Sequence, residues 1–192
     1  MARLPQRATP AQDADLLAAL LGFLAAPKAL AGPIRWISDP PDLVFVVALD
    51  IEGVTERGFQ LRGRASASLP GEHISLQLVR TTLGRKGQNF ERLDWRPISA
   101  HTNKRLPDAP ALSFLHLPGS HHHRLAENAG HPWGLHAAMR DNLPIAVPLP
   151  EEPADWPGLA RLAGRLWAIA GLSDAPQPPW QDVLRPLTGG TP

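Results

Sequence analysis

Along residues 59–69 apolar and polar positions alternate, with Phe59, Leu61, Gly63, Ala65, Ala67 and Leu69 on one side and Gln60, Arg62, Arg64, Ser66 and Ser68 on the other. A period of two belongs to a strand with one covered face and one wet face. The alternation returns at Ile74, Leu76 and Leu78 against His73, Ser75 and Gln77, and Phe90 to Trp95 fits a further strand. Ahead of these, Leu43 to Leu49 is apolar at every position and rich in β-branched residues, which predicts a central strand buried on both faces. Glu52-Gly53 and Pro70-Gly71 supply turns. Connections this short pair successive strands antiparallel. Residues 42–96 therefore predict a four-stranded meander; Leu112 to Leu117 is a candidate fifth strand, extending the sheet region to 42–118.

Both ends of the chain carry helical spacing instead. Leu16, Leu17, Leu20, Leu21 and Leu24 share one face of a helix predicted over 9–26, with Thr9 as N-cap, Pro10 at the first helical position and Gln12 completing a capping box. Leu159, Leu162, Ala163, Leu166, Trp167 and Ala170 predict a second helix over 153–170, with Pro153 and Pro157 in its first turn and Gly171 as its stop. Residues 172–192 read as a Pro-rich strap anchored by Trp180, Val183 and Leu184. The fold class expected is α+β, with an antiparallel meander of four to five strands packed against N- and C-terminal helices. The 192 residues suit a single domain over 1–192.

Composition narrows the chemistry. Without Cys the chain has no disulfide and no thiol nucleophile. It also carries no Gly-rich phosphate loop of the kind found in dinucleotide- or nucleotide-binding folds. Asp13 and Asp15 stand before the apolar run Leu16 to Ala26, where a secretory signal carries positive charge, and the run is too short to cross a bilayer. A cytoplasmic location with no membrane partner is expected.

The net charge of +1 conceals a basic centre, because residues 53–105 hold ten basic and four acidic groups, or +6, while the flanking blocks are neutral or negative. Such an excess either attracts a phosphate backbone or keeps a sheet face soluble and its edges protected.

Seven of the eight histidines fall within residues 101–136. If His121, His122 and His123 are extended, the pleat places His121 and His123 on one face and His122 on the other. Together with His101 they fit three readings. In the first, one imidazole accepts a proton from a ribose 2′-hydroxyl and another donates to the leaving oxygen, while Arg96 or Arg124 stabilises the phosphorane charge. That site comprises His101, His121, His123, Arg96 and Arg124, with Arg62, Arg64 and Arg92 steering RNA, and it needs neither metal nor cofactor. In the second, His101, His121 and His123 hold zinc or nickel, joined by Asp94 or Asp108. In the third, the rings stack and cap loops with no further role.

The run Arg92-Leu93-Asp94-Trp95-Arg96-Pro97 ends the basic meander, and His101-Thr102-Asn103, a His-rich strand and a closing helix follow it. This arrangement, over residues 42–170, resembles TumE-like toxins and related small proteins of bacterial toxin–antitoxin and mobile-element loci. The resemblance implies a cytoplasmic toxin or defence-type protein that acts on RNA and is neutralised by an antitoxin-like partner. The leucine-rich N-terminal helix and the Pro-rich tail depart from that pattern. The leading expectation is thus an RNA-binding protein with metal-independent ribonuclease activity. The alternatives are a non-enzymatic protein–protein interaction module and a His-ligated metalloprotein.

Overall fold

The computed structural model describes residues 9–81 and 87–180. Helix α1 (Pro10–Ala25) begins where its cap places it: Gln12 N–H donates to Thr9 Oγ1 at 3.3 Å and Thr9 N–H to Gln12 Oε1 at 2.9 Å. Leu16, Leu20 and Phe23 are buried, while Leu21 is 42% exposed, so the buried stripe is narrower than the five-leucine face. At the other end Lys28 Nζ donates to the carbonyls of Phe23, Leu24 and Ala26 at 2.6, 3.0 and 2.6 Å. These are last-turn carbonyls that lack helical partners. Burial pushes the Lys28 ammonium down to about 8.

Strands β1 (Lys28–Leu30), β2 (Ile37–Asp39), β3 (Asp42–Ile51), β4 (Val54–Ser66), β5 (Ile74–Arg80) and β6 (Gln88–Trp95) follow. The meander expected from alternation is present, since β3 to β6 pair antiparallel in sequence order. Its size is corrected: β9 (His121–His123), β10 (Val147–Pro148) and β11 (Ile169–Ala170) join a nine-stranded sheet of order β10-β9-β6-β5-β4-β3-β1-β11, with β2 added on β3. The additions are two or three residues long, too short to show a period.

The candidate fifth strand is also corrected. Only its last two residues pair, as β8 (His116–Leu117) with β7 (His101–Thr102) in a separate ladder. Before them, successive turn bonds from Leu112 to Ala109, Ser113 to Pro110 and Leu115 to Leu112 coil the backbone.

One face of the large sheet carries the core. Helices α1, α3 (Leu135–Arg140) and α4 (Trp156–Leu166) contribute Leu20, Phe23, Met139, Trp156 and Leu159 to a cluster with Phe45, Leu61, Leu76, Leu78 and Leu93. Gly63 lies directly beneath Phe45, where a Cβ would stand 2.0 Å from the ring. The opposite face is not helix-covered at its centre: Val46 of β3 is 56% exposed, so this strand is not buried on both faces as its composition suggests.

Helix α4 is shorter than 153–170. Asp155 caps it through Gly158 N–H at 2.8 Å, and it ends at Leu166. Ala168 (φ 51) then turns the chain so that Ile169 and Ala170 pair parallel with Lys28 and Ala29. The short helix α2 (Leu125–Asn128) directly follows β9. The tail beyond 180, including Val183 and Leu184, and residues 82–86 lie outside the described residues. No helix among those described is long and apolar enough to cross a membrane.

Candidate metal centre

Register decides what meets on the outer face. Val44, Arg64, Ser75, Asp94 and His121 form one cross-strand row, and Val46, Arg62, Gln77, Arg92 and His123 form the next. Asp94 is thereby opposite His121 and Arg92 opposite His123. The loop after β6 returns His101 over them, and the three rings pack with centroids 4.7 to 5.3 Å apart. One ring nitrogen from each histidine lies within 4.8 Å of the other two.

The hydrogen bonds assign the tautomers. His123 Nδ1 donates to Leu143 O at 2.6 Å and His121 Nδ1 to Gly119 O at 2.7 Å. The Asn103 amide is oriented by Ala146, whose N–H donates to Oδ1 and whose carbonyl accepts from Nδ2. His101 Nε2 faces Asn103 Oδ1 at 3.1 Å and Pro144 O at 3.2 Å, both acceptors, so it carries the proton and leaves Nδ1 basic. Each ring thus spends one N–H on a carbonyl, the outer-shell pattern that orients metal-binding imidazoles.

His121 Nε2 and His123 Nε2 both lie 3.3 Å from Asp94 Oδ2. An imidazole with acceptors at both nitrogens needs a second proton or another cation on the inner side. Arg92 supplies one positive charge there, with Nε 3.0 Å from Asp94 Oδ2 and Nη2 2.5 Å from His123 Nε2. Nε nevertheless makes no aligned hydrogen bond. Burial lowers Arg92, although Asp94 opposes the shift. Burial would raise Asp94, yet His121, His123 and Arg92 hold it well below the usual carboxylate range. Burial pushes His123 down to about 4, Asp94 notwithstanding, and also lowers His101, with His121 adding to the effect. His123 is therefore neutral near pH 7, the form that ligates metal.

A strained turn supplies two of the carbonyls. Asn142 (φ 57) and Leu143 (φ 58) are both left-handed, an uncommon conformation for a buried leucine. Two buried asparagines hold the segment that follows. Asn128 exchanges hydrogen bonds with the N–H and C=O of Ile145, as Asn103 does with those of Ala146. Each amide acts as a strand partner where the chain has none.

Of the residues expected from sequence, His101, His121 and His123 converge, and His122 points to the opposite face. Arg92, expected to steer RNA, is instead embedded in the cluster. Arg64 lies on the same sheet face, bound to Asp42 through Nε at 2.7 Å and Nη2 at 2.6 Å, while Arg62 bonds Gln60 at 3.0 Å. Arg96 and Arg124 do not join the site. Arg96 (φ 44) leaves the sheet, covers the Trp95 ring at 4.5 Å and donates to Ala154 O at 3.1 Å. Arg124 pairs with Glu127 at 2.9 Å. Asp108 is exposed and outside the cluster, so Asp94 is the carboxylate at hand. Asn103 and Asn128 carried no signal beyond the His-Thr-Asn run, because an amide pairing with a distant backbone leaves no spacing to read.

A cleft of about 260 Å³ runs from His101 and His121 along the outer sheet face, past Ser75 and Gln77 to Arg64. Comparison with protein-family models, with curated proteins and with solved structures finds no match to this chain.

Proposed function

We propose that the protein is a mononuclear metalloenzyme in which His101, His121 and His123 hold a divalent transition-metal ion beside Asp94. The observation that carries this reading is the set of three imidazoles, each with one N–H committed to a carbonyl and one nitrogen within 4.8 Å of the other two. Ligand nitrogens on a tetrahedral ion lie about 3.3 Å apart, given metal–nitrogen bonds of about 2.0–2.1 Å. The three imidazole nitrogens, within 4.8 Å of one another, would close to that spacing by small ring movements, with Asp94 Oδ2, 3.3 Å from both His121 Nε2 and His123 Nε2, left beside the ion. Imidazole and carboxylate without thiolate suit zinc, iron(II) or nickel.

Three protein ligands leave a position for water or substrate, and the adjoining cleft supplies its access. The ion would supply Lewis acidity there and lower the pKa of a bound water. Arg92, which faces His123 Nε2 and Asp94, would have to give up the first contact to an ion and would remain beside Asp94 to balance its charge.

A second reading is supported by the Arg92–His123 contact: the same histidines act without metal on a phosphodiester, Arg92 supplying the positive charge first assigned to Arg96 and Arg124. One experiment separates the two. Untagged protein is purified, its metal measured by elemental analysis, and the metal-free form titrated with Co²⁺, Zn²⁺ and Ni²⁺. The metal reading expects one equivalent, visible Co²⁺ d–d bands, and loss of both in a His121→Ala, His123→Ala double variant. Protein that binds none of these ions, yet cleaves a structured RNA in EDTA, overturns it in favour of the second reading.

A further inference from the structure

The cleft beside the histidines has a composition of its own. Among its described lining residues Asp94 is the sole carboxylate, and Arg92 with two imidazoles already faces it. The rest of the polar lining is rich in donors, notably Arg64, Gln77, Ser75 and Ser99. Arg64 is tethered on one edge: Asp42 takes Nε and Nη2, and Nη1 has no partner among the described residues. Asp42 itself does not line the cleft. One guanidinium edge is therefore held in place and the other is available.

Size and span limit the occupant. At about 260 Å³ the cleft falls below the ~300–1,000 Å³ of pockets for drug-sized ligands. Arg64 and Asp94 share a cross-strand row two strands apart, which separates their Cα atoms by about 10 Å at ~4.8 Å per strand. Asp42 lies on β3, on the far side of β4 from the histidines, so the guanidinium it holds is drawn no nearer to them, and an extended chain of several carbons with a charged group at each end is needed to span the gap.

We infer that the cleft takes a small organic dianion, a dicarboxylate or its like, with one oxyanion at the His101/His121/His123 end and the other on the Arg64 guanidinium. This rests on the metal reading at its first end only. Arg64 is a specificity-determining residue: planar and bidentate towards carboxylate, and placed by Asp42 at a set distance from the reacting end.

The test is calorimetric titration of metal-loaded and metal-free protein, at low ionic strength, with succinate, inorganic phosphate and 1,4-diaminobutane. Succinate is expected to bind the metal-loaded form at least tenfold more tightly than phosphate, which has only one oxyanion group, and the diamine is expected not to bind. Arg64→Gln should weaken succinate tenfold or more while leaving metal content unchanged. Arg64-dependent succinate binding by a protein that takes up no metal supports this inference even though the metal reading fails. Metal-loaded protein that binds succinate no better than phosphate, or binds it equally well as Arg64→Gln, overturns the inference while leaving the metal reading intact. A short RNA that binds more tightly than succinate and is displaced by it also overturns it.

Discussion

Strand β9 presents histidines to both sides of the sheet, each in contact with a charged side chain of β6, and the two sides differ in how their hydrogen bonds close. On the inner face His122 meets Glu91, whose carboxylate also accepts Trp167 Nε1 at 3.1 Å and Leu125 N–H at 2.7 Å. Glu91 and His122 are buried, and although a cleft between α1 and the end of α4 borders them, each Glu91 oxygen meets a donor. On the outer face His121 and His123 confront Asp94 and Arg92, with both Nε2 atoms turned towards one Asp94 oxygen and a cleft alongside. Identical side chains one residue apart thus sit in a group whose carboxylate is fully donated to and in one whose imidazole nitrogens are not. What separates them is whether a donor is supplied for each acceptor.

Removing the hub of the inner group should have the largest effect. Glu91→Ala strands a buried imidazole, an indole N–H and a backbone N–H, and should cost about 3–5 kcal/mol of unfolding free energy, measured by urea denaturation. Whatever protein remains folded should still take up one metal ion. If it does not, the two faces are a single unit and the contrast fails.

On the outer face the order reverses. His123→Ala should lower Zn²⁺ affinity at least 100-fold, while destabilising the metal-free protein by about 1–2 kcal/mol through the unpaired Leu143 carbonyl. Metal titration and denaturation of one preparation give both numbers. An equal loss of stability in His123→Ala and Glu91→Ala would show that His123 is structural.

Asn103→Ala tests support from behind the site. It removes the amide that holds Ala146 and fixes the His101 tautomer, and should reduce metal affinity by about 10-fold or more, with smaller losses for cobalt bands already formed by His121 and His123.

The smallest effect concerns a second buried cation. Arg92 answers a carboxylate, whereas Lys28 answers carbonyl dipoles and the face of the Phe23 ring. With its folded value at about 8, below the ordinary 10.5, Lys28 binds fewer protons in the folded chain than in the unfolded chain between those limits. Stability from this group therefore rises as pH climbs through that window. Lys28→Met should flatten that slope in Tm measured from pH 7.5 to 10.5, and should itself cost about 1–3 kcal/mol through the unmet helix-end carbonyls.

Much of this was legible before any coordinates. Thr9, Pro10 and Gln12 announced α1, because capping is local. The alternation at 59–69 set which face of β4 would be wet, and a three-residue pleat was enough to separate His122 from His121 and His123. The arrival of His101 was not readable, since it depends on how residues 97–100 turn. Arg96 was expected to stabilise phosphorane charge beside the histidines, but its positive φ turns it off the sheet. Arg92 was read as a surface cation because its burial comes from the covering 142–146 segment, far away in sequence. The two-residue strands β10 and β11 are too short for periodicity, and Ala168 ends α4 by a backbone turn that its side chain does not advertise.

The β6–β9 junction, only three residue pairs wide, is reached after the chain has travelled through residues 96–120. Closing so long a connection costs entropy before any contact repays it, and contacts of this kind form late in folding. An ion bridging His101 to β9, if the metal reading holds, would act on the far side of the folding barrier. It should prolong the lifetime of the native state by slowing unfolding, and leave the speed at which the meander assembles unchanged.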